Sequence, residues 1–418
     1  MKNKIVPLTI TEIGSKGDGV ALHDSAQIYI PKTAPGDVIE AAIKGERGML
    51  QKIVTPSPQR APAPCPHFEK CGGCSLQHVS SEFYREWKIT KVKNALARAG
   101  VEPAVWNEPV FLPAATRRRT TMTALKTNNG MVFGYNEGRS HNVLNISRCL
   151  VLDPALEEKI LALRPYLPRL MGDAKTCDVT LQYAGGAFDM VLTGRLQKRG
   201  RFSFGQDEAM GEIAEKLGIA RISFREKDFR PPEIILERQP VMKKFGELNV
   251  ALPPGTFLQA SDVGEQALSK LVMEYAVGGT KFLDLFSGCG TFSGHLLALG
   301  PVTAIDGDAP AISTLTQTKH PGLSAIRRDL FKNPLKESEL EAFDTVIFDP
   351  PRAGAAAQAP FLASSATRRI IGVSCNPASF ARDARALQDG GYSLASLTLV
   401  DQFVWSAHVE ITGLFTRG

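Results

Sequence analysis

The sequence predicts an α/β protein with a Rossmann-like sheet at its carboxyl-terminal end, preceded by a small β-barrel and a β-rich central part. From residue 256 onward, short β-branched apolar runs alternate with helical stripes, as in parallel βαβ units. Residues 4–55 contain five short runs of strand-like alternation between Gly, Pro and Asp turns. Three cysteines lie within ten residues directly after these runs, which indicates a metal-binding loop.

Length and composition favour several domains. The chain has 418 residues, of which 43% are apolar, so each domain has enough apolar residues to bury a core. We divide it into an amino-terminal barrel at 1–58, a central domain at 59–255 and an α/β domain at 256–418, to which the chemistry predicted below is assigned. A proline-rich linker at 55–66 marks the first boundary.

The sequence favours a cytoplasmic protein. No apolar run approaches the ~18 residues of a membrane span, and the first residues lack the apolar core of a signal peptide. The seven cysteines are odd in number and bunched, unlike a secreted disulfide framework. We expect no membrane contact, and we infer no obligate protein partner.

Basic charge is concentrated in the first third of the chain. Residues 1–150 carry 20 Lys and Arg against 12 Asp and Glu, whereas the remainder is slightly acidic. This asymmetry predicts a polyanionic partner, and nucleic acid is the first candidate. Arginines 117–119 lie on a predicted strand and could contact phosphates, although a solvated strand face explains them equally well.

The cysteine-rich segment begins at Cys65 and continues through Cys71 and Cys74, with Gly72 and Gly73 between the last two. Four thiolates suit either zinc or an iron-sulfur cluster, and the spacing alone leaves both open. Cys149 is a possible fourth ligand. Ser81 is predicted to cap a lysine-rich helix that runs to Ala99, after this loop.

Acidic residues follow successive strands of the predicted α/β sheet. The segment 284–294 is a glycine loop after the first strand, Asp306 ends the second, and Asp329 follows the third. Each acid alone is more often a turn residue or helix cap. Their order favours an adenosine ligand without a pyrophosphate, because the third glycine comes one residue late for a dinucleotide site. The series therefore predicts S-adenosylmethionine.

Three residues near the end of the chain suit methylation of a ring carbon. Carbon 5 of a pyrimidine becomes nucleophilic only after addition at carbon 6, and Cys375 is placed at a strand end to form that adduct. Asp349 begins an Asp-Pro-Pro-Arg segment after the preceding strand, and Glu410 is a candidate base for the carbon-5 proton. Considered alone, Cys375 would be interpreted as a buried core residue, and Glu410 as an exposed carboxylate on an edge strand.

Taken together, these motifs resemble the 5-methyluridine RNA methyltransferase family over nearly the whole chain. Segments 14–21 and 35–38 look like a TRAM barrel. The other matching features are the four cysteines, Phe257-Leu258-Gln259, the Asp-Leu-Phe loop, Asp-Pro-Pro-Arg-Ala-Gly, Ser-Cys-Asn-Pro and His-Val-Glu. Asp306 departs from the glutamate usual in that family, and Thr291 from a frequent asparagine.

The resemblance implies specific roles for the matching residues. Cys375 would be the nucleophile, Glu410 the base, and Asp349 a contact of both cofactor and uracil. The other expected cofactor contacts are Gln259, Phe286, Gly288, Asp306 and Asp329. The four cysteines Cys65, Cys71, Cys74 and Cys149 would bind a [4Fe-4S] cluster. Phe257 would stack near the RNA.

The resemblance favours 23S ribosomal RNA as substrate, with transfer RNA as the nearest alternative. Two other classes remain open: an RNA-binding assembly factor without catalytic activity, and an iron-sulfur electron-transfer protein.

Overall fold

The amino-terminal part is a six-stranded sheet in which one bent segment forms both edges. The structure is a computed structural model that describes residues 4–417. The sheet has the order β1-β5-β6-β4-β3-β2. Its strands are β1 (Lys4–Thr9), β2 (Glu12–Ile13), β3 (Gly19–His23), β4 (Ala26–Ile30), β5 (Val38–Lys44) and β6 (Arg47–Thr55). The first strand-like run of the sequence is therefore two strands. The chain bends between them at Ile10, whose N–H donates to the Asp37 carbonyl just before β5, and at Thr11, whose N–H donates to the Val20 carbonyl in β3.

The next segment extends the carboxyl-terminal sheet. Helix α1 (Ser81–Arg98) begins one residue after its cap Ser80, whose hydroxyl accepts from the Phe83 N–H at 3.2 Å. Strands β7 (Val105–Trp106) and β8 (Val110–Phe111) pair in parallel with a later strand, at 393–401. Apolar residues of α1 pack in the same core as that sheet. Residues 81–111 therefore belong physically to the catalytic sheet, although our division by sequence places them in the central part.

The central part is a seven-stranded sheet with three helices on one face. Its order is β11-β10-β9-β12-β13-β14-β15. The elements are β9 (Arg119–Thr127), β10 (Gly130–Asn136), β11 (Val143–Asn145), α2 (Pro154–Ala162), α3 (Leu167–Met171), β12 (Thr176–Ala184), β13 (Ala187–Thr193), α4 (Phe204–Lys216), β14 (Ile219–Arg225) and β15 (Glu233–Glu237). The helices cover the apolar face of the sheet, and Cys177 lies in this core.

The carboxyl-terminal part is an α/β unit preceded by a hairpin. Its elements are β16 (Met242–Phe245), β17 (Leu248–Ala251), α5 (Asp262–Ala276), β18 (Phe282–Leu285), α6 (Ser293–Leu296), β19 (Val302–Asp306), α7 (Ala309–Gln317), β20 (Leu323–Arg327), α8 (Glu337–Leu340), β21 (Thr345–Phe348), α9 (Ala359–Ser364), β22 (Arg369–Ser374), α10 (Pro377–Asp389), β23 (Ser393–Asp401) and β24 (Glu410–Thr416).

These strands form a mixed sheet in the order β20-β19-β18-β21-β22-β24-β23-β7. The first five are parallel, whereas β24 runs antiparallel to both β22 and β23. The prediction of an α/β sheet is therefore confirmed, but the antiparallel strand that the sequence places at the edge, β24, lies between β22 and β23. Because parallel strands end at one edge of a sheet, the loops after β18, β19, β21 and β22 meet there.

Within residues 4–417, no helix combines the length and the hydropathy needed to cross a bilayer.

Contacts join the parts of the chain. Asp18 of the amino-terminal sheet forms salt bridges with Arg47 and with Arg139 of the central part. The N–H groups of Ser75 and Leu76 donate to the carbonyl of Trp405, next to the start of β24.

Candidate active site

The loop after β18 is shaped by an unusual backbone conformation. Phe286 has a φ of 61°, which is uncommon for a bulky residue and marks a constrained position. Gly288 follows with a φ of 54°, and its N–H donates to Asp306 Oδ2 at 2.9 Å. Gly294 packs so closely on the β16–β17 hairpin that a Cβ there would lie 2.0 Å from the Phe245 carbonyl. Gly294, the third glycine of the loop, is therefore required for close packing of the loop against the hairpin.

The side chains predicted to hold the cofactor lie beside this loop. Both oxygens of Asp306 are fixed by backbone N–H groups, since Oδ1 accepts from Asp308 at 2.7 Å. Asp329 accepts from the N–H of Phe331 at 3.1 Å. The Phe331 ring, 46% exposed, lies with its centroid 5.4 Å from that of Phe286. Fixed carboxylates beside exposed aromatic faces are suited to a ribose and a purine ring.

A buried carboxyl group lies beneath the glycine loop. Asp284 Oδ2 accepts from the N–H and hydroxyl of Ser293, at 3.0 and 2.6 Å. Among the described residues, Asp284 Oδ1 has no hydrogen-bond partner. Burial raises the pKa of Asp284 to about 7, and the Asp306 carboxylate adds to the rise while the bonds from Ser293 oppose it.

Cys375 follows β22 and is partly exposed in a cavity of about 390 Å³. The next residue, Asn376, caps α10 and also donates to the Arg352 carbonyl at 2.9 Å, which fixes the loop that carries the thiol. Burial raises the pKa of Cys375 to about 11. The carboxylates of Glu410 and Asp349 contribute to this rise, whereas Arg352 opposes it. The thiol therefore has two acidic neighbours and one basic neighbour.

A chain of buried side chains links the predicted base to the predicted uracil contact. Gln402 Nε2 donates to Glu410 Oε1 at 3.2 Å and to Gln259 Oε1 at 2.8 Å. Gln259 Nε2 in turn donates to Asp349 Oδ2 at 3.2 Å. The structure thus brings together three predicted residues from β24, β21 and the segment before α5, with Cys375 beside them.

Both carboxyl groups of this chain have raised pKa values. Burial raises the pKa of Asp349 to about 7, with a further rise from Asp284 and a decrease from the Gln259 bond. Burial also raises the pKa of Glu410 well above its ordinary value; Asp349 adds to the rise and Gln402 opposes it. A carboxylate with a raised pKa is a stronger base, so this environment suits proton removal. Glu410 is buried, which excludes the exposed edge-strand interpretation.

The four cysteines predicted to bind a metal line one cavity of about 300 Å³. In the described part of the chain, no three His, Cys, Asp or Glu side chains are close enough together to hold a single metal ion. Four thiols that line one cavity are a donor set that either a zinc ion or an iron-sulfur cluster can take.

The cysteine cavity and the Cys375 cavity share a wall formed by Gly73, Cys74, Arg117 and Val151. This proximity was not evident in the sequence, where Cys74 and Cys375 are three hundred residues apart.

The three consecutive arginines have different environments. Arg118 is buried and forms salt bridges with Asp262 and Glu265 of α5, so its predicted phosphate contact is wrong. Arg117 lines the Cys375 cavity. Burial and the neighbouring charges of Arg225 and Arg117 lower the pKa of Arg119. No acidic side chain within residues 4–417 forms a salt bridge with Arg119, which leaves Arg117 and Arg119 as the pair that can contact an anion.

Two further residues of the site were missed from the sequence. Gln402 directly follows β23, in the connection that leads to Glu410. The only sequence feature that could have indicated it is a polar residue at the end of a strand. Phe331 follows Asp329 by two residues and had no distinguishing pattern. Phe257 was predicted to stack near RNA, and its ring is 70% exposed.

Comparison with known proteins identifies relatives over the full chain. The model of the family described as tRNA (Uracil-5-)-methyltransferase matches residues 324–417. A Caulobacter vibrioides protein described as an uncharacterized RNA methyltransferase is 40% identical, over 98% of this chain and 99% of the relative. The 23S rRNA (uracil(1939)-C(5))-methyltransferase RlmD of Pectobacterium atrosepticum is 27% identical, over 99% of this chain and 94% of the relative.

A solved structure has the same fold. The Pyrococcus abyssi tRNA (uracil-54, C5)-methyltransferase, crystallised with S-adenosyl-L-homocysteine, aligns with a TM-score of 0.75 and 23% identity. The alignment covers 98% of this chain and 99% of that protein, so the likeness extends over nearly the whole chain.

Proposed function

Because the chain belongs to the family of RNA (uracil-C5-)-methyltransferases, we propose that it methylates carbon 5 of a specific uridine through a covalent adduct with Cys375. The observation that carries this proposal is that the side chains of Asp349 and Glu410 lie near the Cys375 thiol. The two carboxyl groups lie close enough to Cys375 to raise its pKa, and Gln402 lines its cavity while donating to Glu410.

The proposed reaction begins with attack of the Cys375 sulfur on carbon 6 of the uracil. The electron pair of the carbon 5–carbon 6 double bond moves towards the carbonyl at carbon 4, which makes carbon 5 nucleophilic. Carbon 5 would then take the methyl group from the sulfonium sulfur of the methyl donor, and the methyl–sulfur bond would break to leave a neutral thioether. Glu410 removes the carbon-5 proton, the double bond forms again, and the carbon–sulfur bond breaks to release the thiolate.

The chain's own side chains would hold the uracil between the thiol and the base. Asp349 has a pKa near neutrality, so it can be protonated and donate to a carbonyl of the ring or be ionised and accept from a ring N–H. Phe257 offers an exposed ring on which a base can stack. A uridine within folded RNA would have to be flipped out of its stack to reach this cavity.

S-Adenosylmethionine is the proposed methyl donor, and it supplies an electrophilic methyl group when bound. The residues that would hold it are Gln259, Phe286, Gly288, Asp306 and Asp329, together with Asp349. Hydrogen-bonded carboxylates at or after the ends of β19, β20 and β21 support this assignment.

Ribosomal RNA of the large subunit is the proposed substrate. Support comes from the full-length relative named for 23S rRNA, whereas the structural neighbour named for tRNA supports only the fold at its level of identity. The basic amino-terminal third, with the TRAM-type sheet, would hold flanking nucleotides. The distinguishing experiment is to map which uridine, in which RNA, lacks its methyl group after deletion of the gene. Loss from tRNA alone would contradict the rRNA assignment.

A [4Fe-4S] cluster is the proposed occupant of the cysteine cavity, held by Cys65, Cys71, Cys74 and Cys149. The proposal is supported by four thiols that line one cavity, which is the donor set that a [4Fe-4S] cluster takes. Anaerobic purification is expected to give a brown protein that contains iron and acid-labile sulfide. Colourless protein with one zinc per chain would contradict the proposal.

Two variants test the covalent mechanism. Cys375→Ala is expected to lose methyl transfer but to retain S-adenosylmethionine binding, measured by calorimetry. Glu410→Gln is expected to accumulate an RNA adduct that survives a denaturing gel, because the proton on carbon 5 remains. Full turnover by Cys375→Ala, or the absence of an adduct with intact RNA for Glu410→Gln, would refute the corresponding role.

A further inference from the structure

Gln402 is buried within the catalytic part and bonds to two of its residues. Its side chain is 6% exposed, and it lines the cavity that contains Cys375. A single nitrogen, Nε2, donates to both Glu410 and Gln259. From this geometry we infer that Gln402 is a positioning residue, which holds one carboxylate oxygen of Glu410 so that the other can take the carbon-5 proton. The inference rests on the proposed role of Glu410.

The backbone around Gln402 is held rigidly. Gln402 follows Asp401, whose buried carboxylate accepts from Lys88 Nζ at 2.8 Å and from the Tyr84 hydroxyl. The pairing of Val400 with Glu410 across β23 and β24 places Gln402 beside Glu410 in the hairpin. A fixed backbone is what a positioning role requires, because the direction of the amide then follows from its side-chain conformation.

Glu410 is held on one side only. Gln402 Nε2 bonds to Glu410 Oε1, and no donor in the described residues bonds to Glu410 Oε2. The second oxygen is thus free to accept a proton. Loss of the Gln402 donor would leave both oxygens free and allow the carboxyl group to rotate away from the ring.

The amide is also tightly enclosed at its other end. Gln402 Oε1 is buried without a partner in the described chain, and a Cβ on Gly264 would lie 2.5 Å from it. The amide oxygen therefore faces the start of α5, and the nitrogen is the end directed at Glu410. Burying an unpaired oxygen costs free energy, and the bonds that Nε2 makes to Glu410 and Gln259 explain why the amide keeps this orientation.

The inference predicts that Gln402 affects proton removal but not adduct formation. In Gln402→Met, turnover of uridine RNA is expected to fall about tenfold to a hundredfold, the range for a misplaced catalytic group. The loss should appear in kcat with little change in KM. With 5-fluorouridine RNA, whose carbon 5 carries no removable proton, the methylated adduct should form at nearly the wild-type rate.

The pH profile gives a second readout. The bond from Gln402 lowers the pKa of Glu410, so its removal is expected to shift the pH dependence of kcat to higher pH. If Gln402→Met fails to fold, Gln402→Glu keeps the shape of the side chain and is expected to show the same separation between the two RNAs.

Three outcomes are distinguishable. Equal loss of turnover and of 5-fluorouridine adduct would overturn the positioning role, as would wild-type turnover in Gln402→Met alongside an inactive Glu410→Gln. Wild-type turnover in Glu410→Gln would instead overturn the proposed function of Glu410 itself.

Discussion

The thiol of Cys375 is expected to react slowly with alkylating agents in the free protein. Burial and the neighbouring carboxylates raise its pKa to about 11, against about 8.5 for a free cysteine. At a pH below both values, the thiolate fraction is about 300-fold smaller than for a free thiol. A more basic thiolate is intrinsically more nucleophilic, which recovers about tenfold. The net expectation is alkylation about 20- to 30-fold slower than for an unperturbed cysteine.

Two charge variants test the cause of this shift. Glu410→Gln removes a negative neighbour and should lower the pH midpoint of alkylation by about one unit. Arg352→Gln removes the positive neighbour and should raise the midpoint. The assay is the rate of iodoacetamide labelling between pH 7 and 11, with the Cys375 peptide quantified by mass spectrometry so that other cysteines do not contribute.

A wild-type midpoint at or below about 8.5 would refute the reasoning, because the thiol would then be unperturbed. A shift in the same direction for both variants would also refute it, since the two charges must act oppositely. Folding of each variant is checked by its melting temperature.

Three further predictions concern stability, metal and RNA. Lys88→Met leaves the buried Asp401 carboxylate without its cation, so we expect a loss of about 3–5 kcal/mol, measured by calorimetry and partly recovered in the double variant with Asp401→Asn; an unchanged melting temperature would contradict this. Cys149→Ser should lose iron and sulfide relative to wild type, and retention of both would exclude Cys149 as a ligand. Arg119→Gln should weaken RNA binding and reduce its salt slope by about one, measured in the Cys375→Ala background, whereas an unchanged slope would show that Arg119 contacts no phosphate.

Much of the site could be predicted because its residues lie in short local motifs. The order of strand, glycine loop and acid from 282 to 329 follows from hydrophobic runs that end at polar residues. Asp349, Cys375 and Glu410 each lie directly at a strand end. The carboxyl ends of the parallel strands β21 and β22 meet at one edge of the sheet, and the start of the antiparallel strand β24 lies at the same edge.

Other features depended on packing that the sequence does not encode locally. Strand periodicity places Arg118 and Arg119 on opposite faces, but only the docking of α5 shows that Arg118 is neutralised by Asp262 and Glu265. Likewise, β7 pairs with β23, nearly three hundred residues later in the chain, and α1 packs in the core of the same sheet. Contacts of that separation leave no periodic signal.

By itself, the sequence determined the fold class and predicted the proposed nucleophile and the proposed cofactor acids, because each lies in a contiguous stretch. Only the tertiary structure decided that Gln402 links Glu410 to Gln259, and that the cysteine cavity shares a wall with the cavity of Cys375. The physical reason is that hydrogen-bond partners and shared walls are set by three-dimensional distance and side-chain direction, which local patterns leave open.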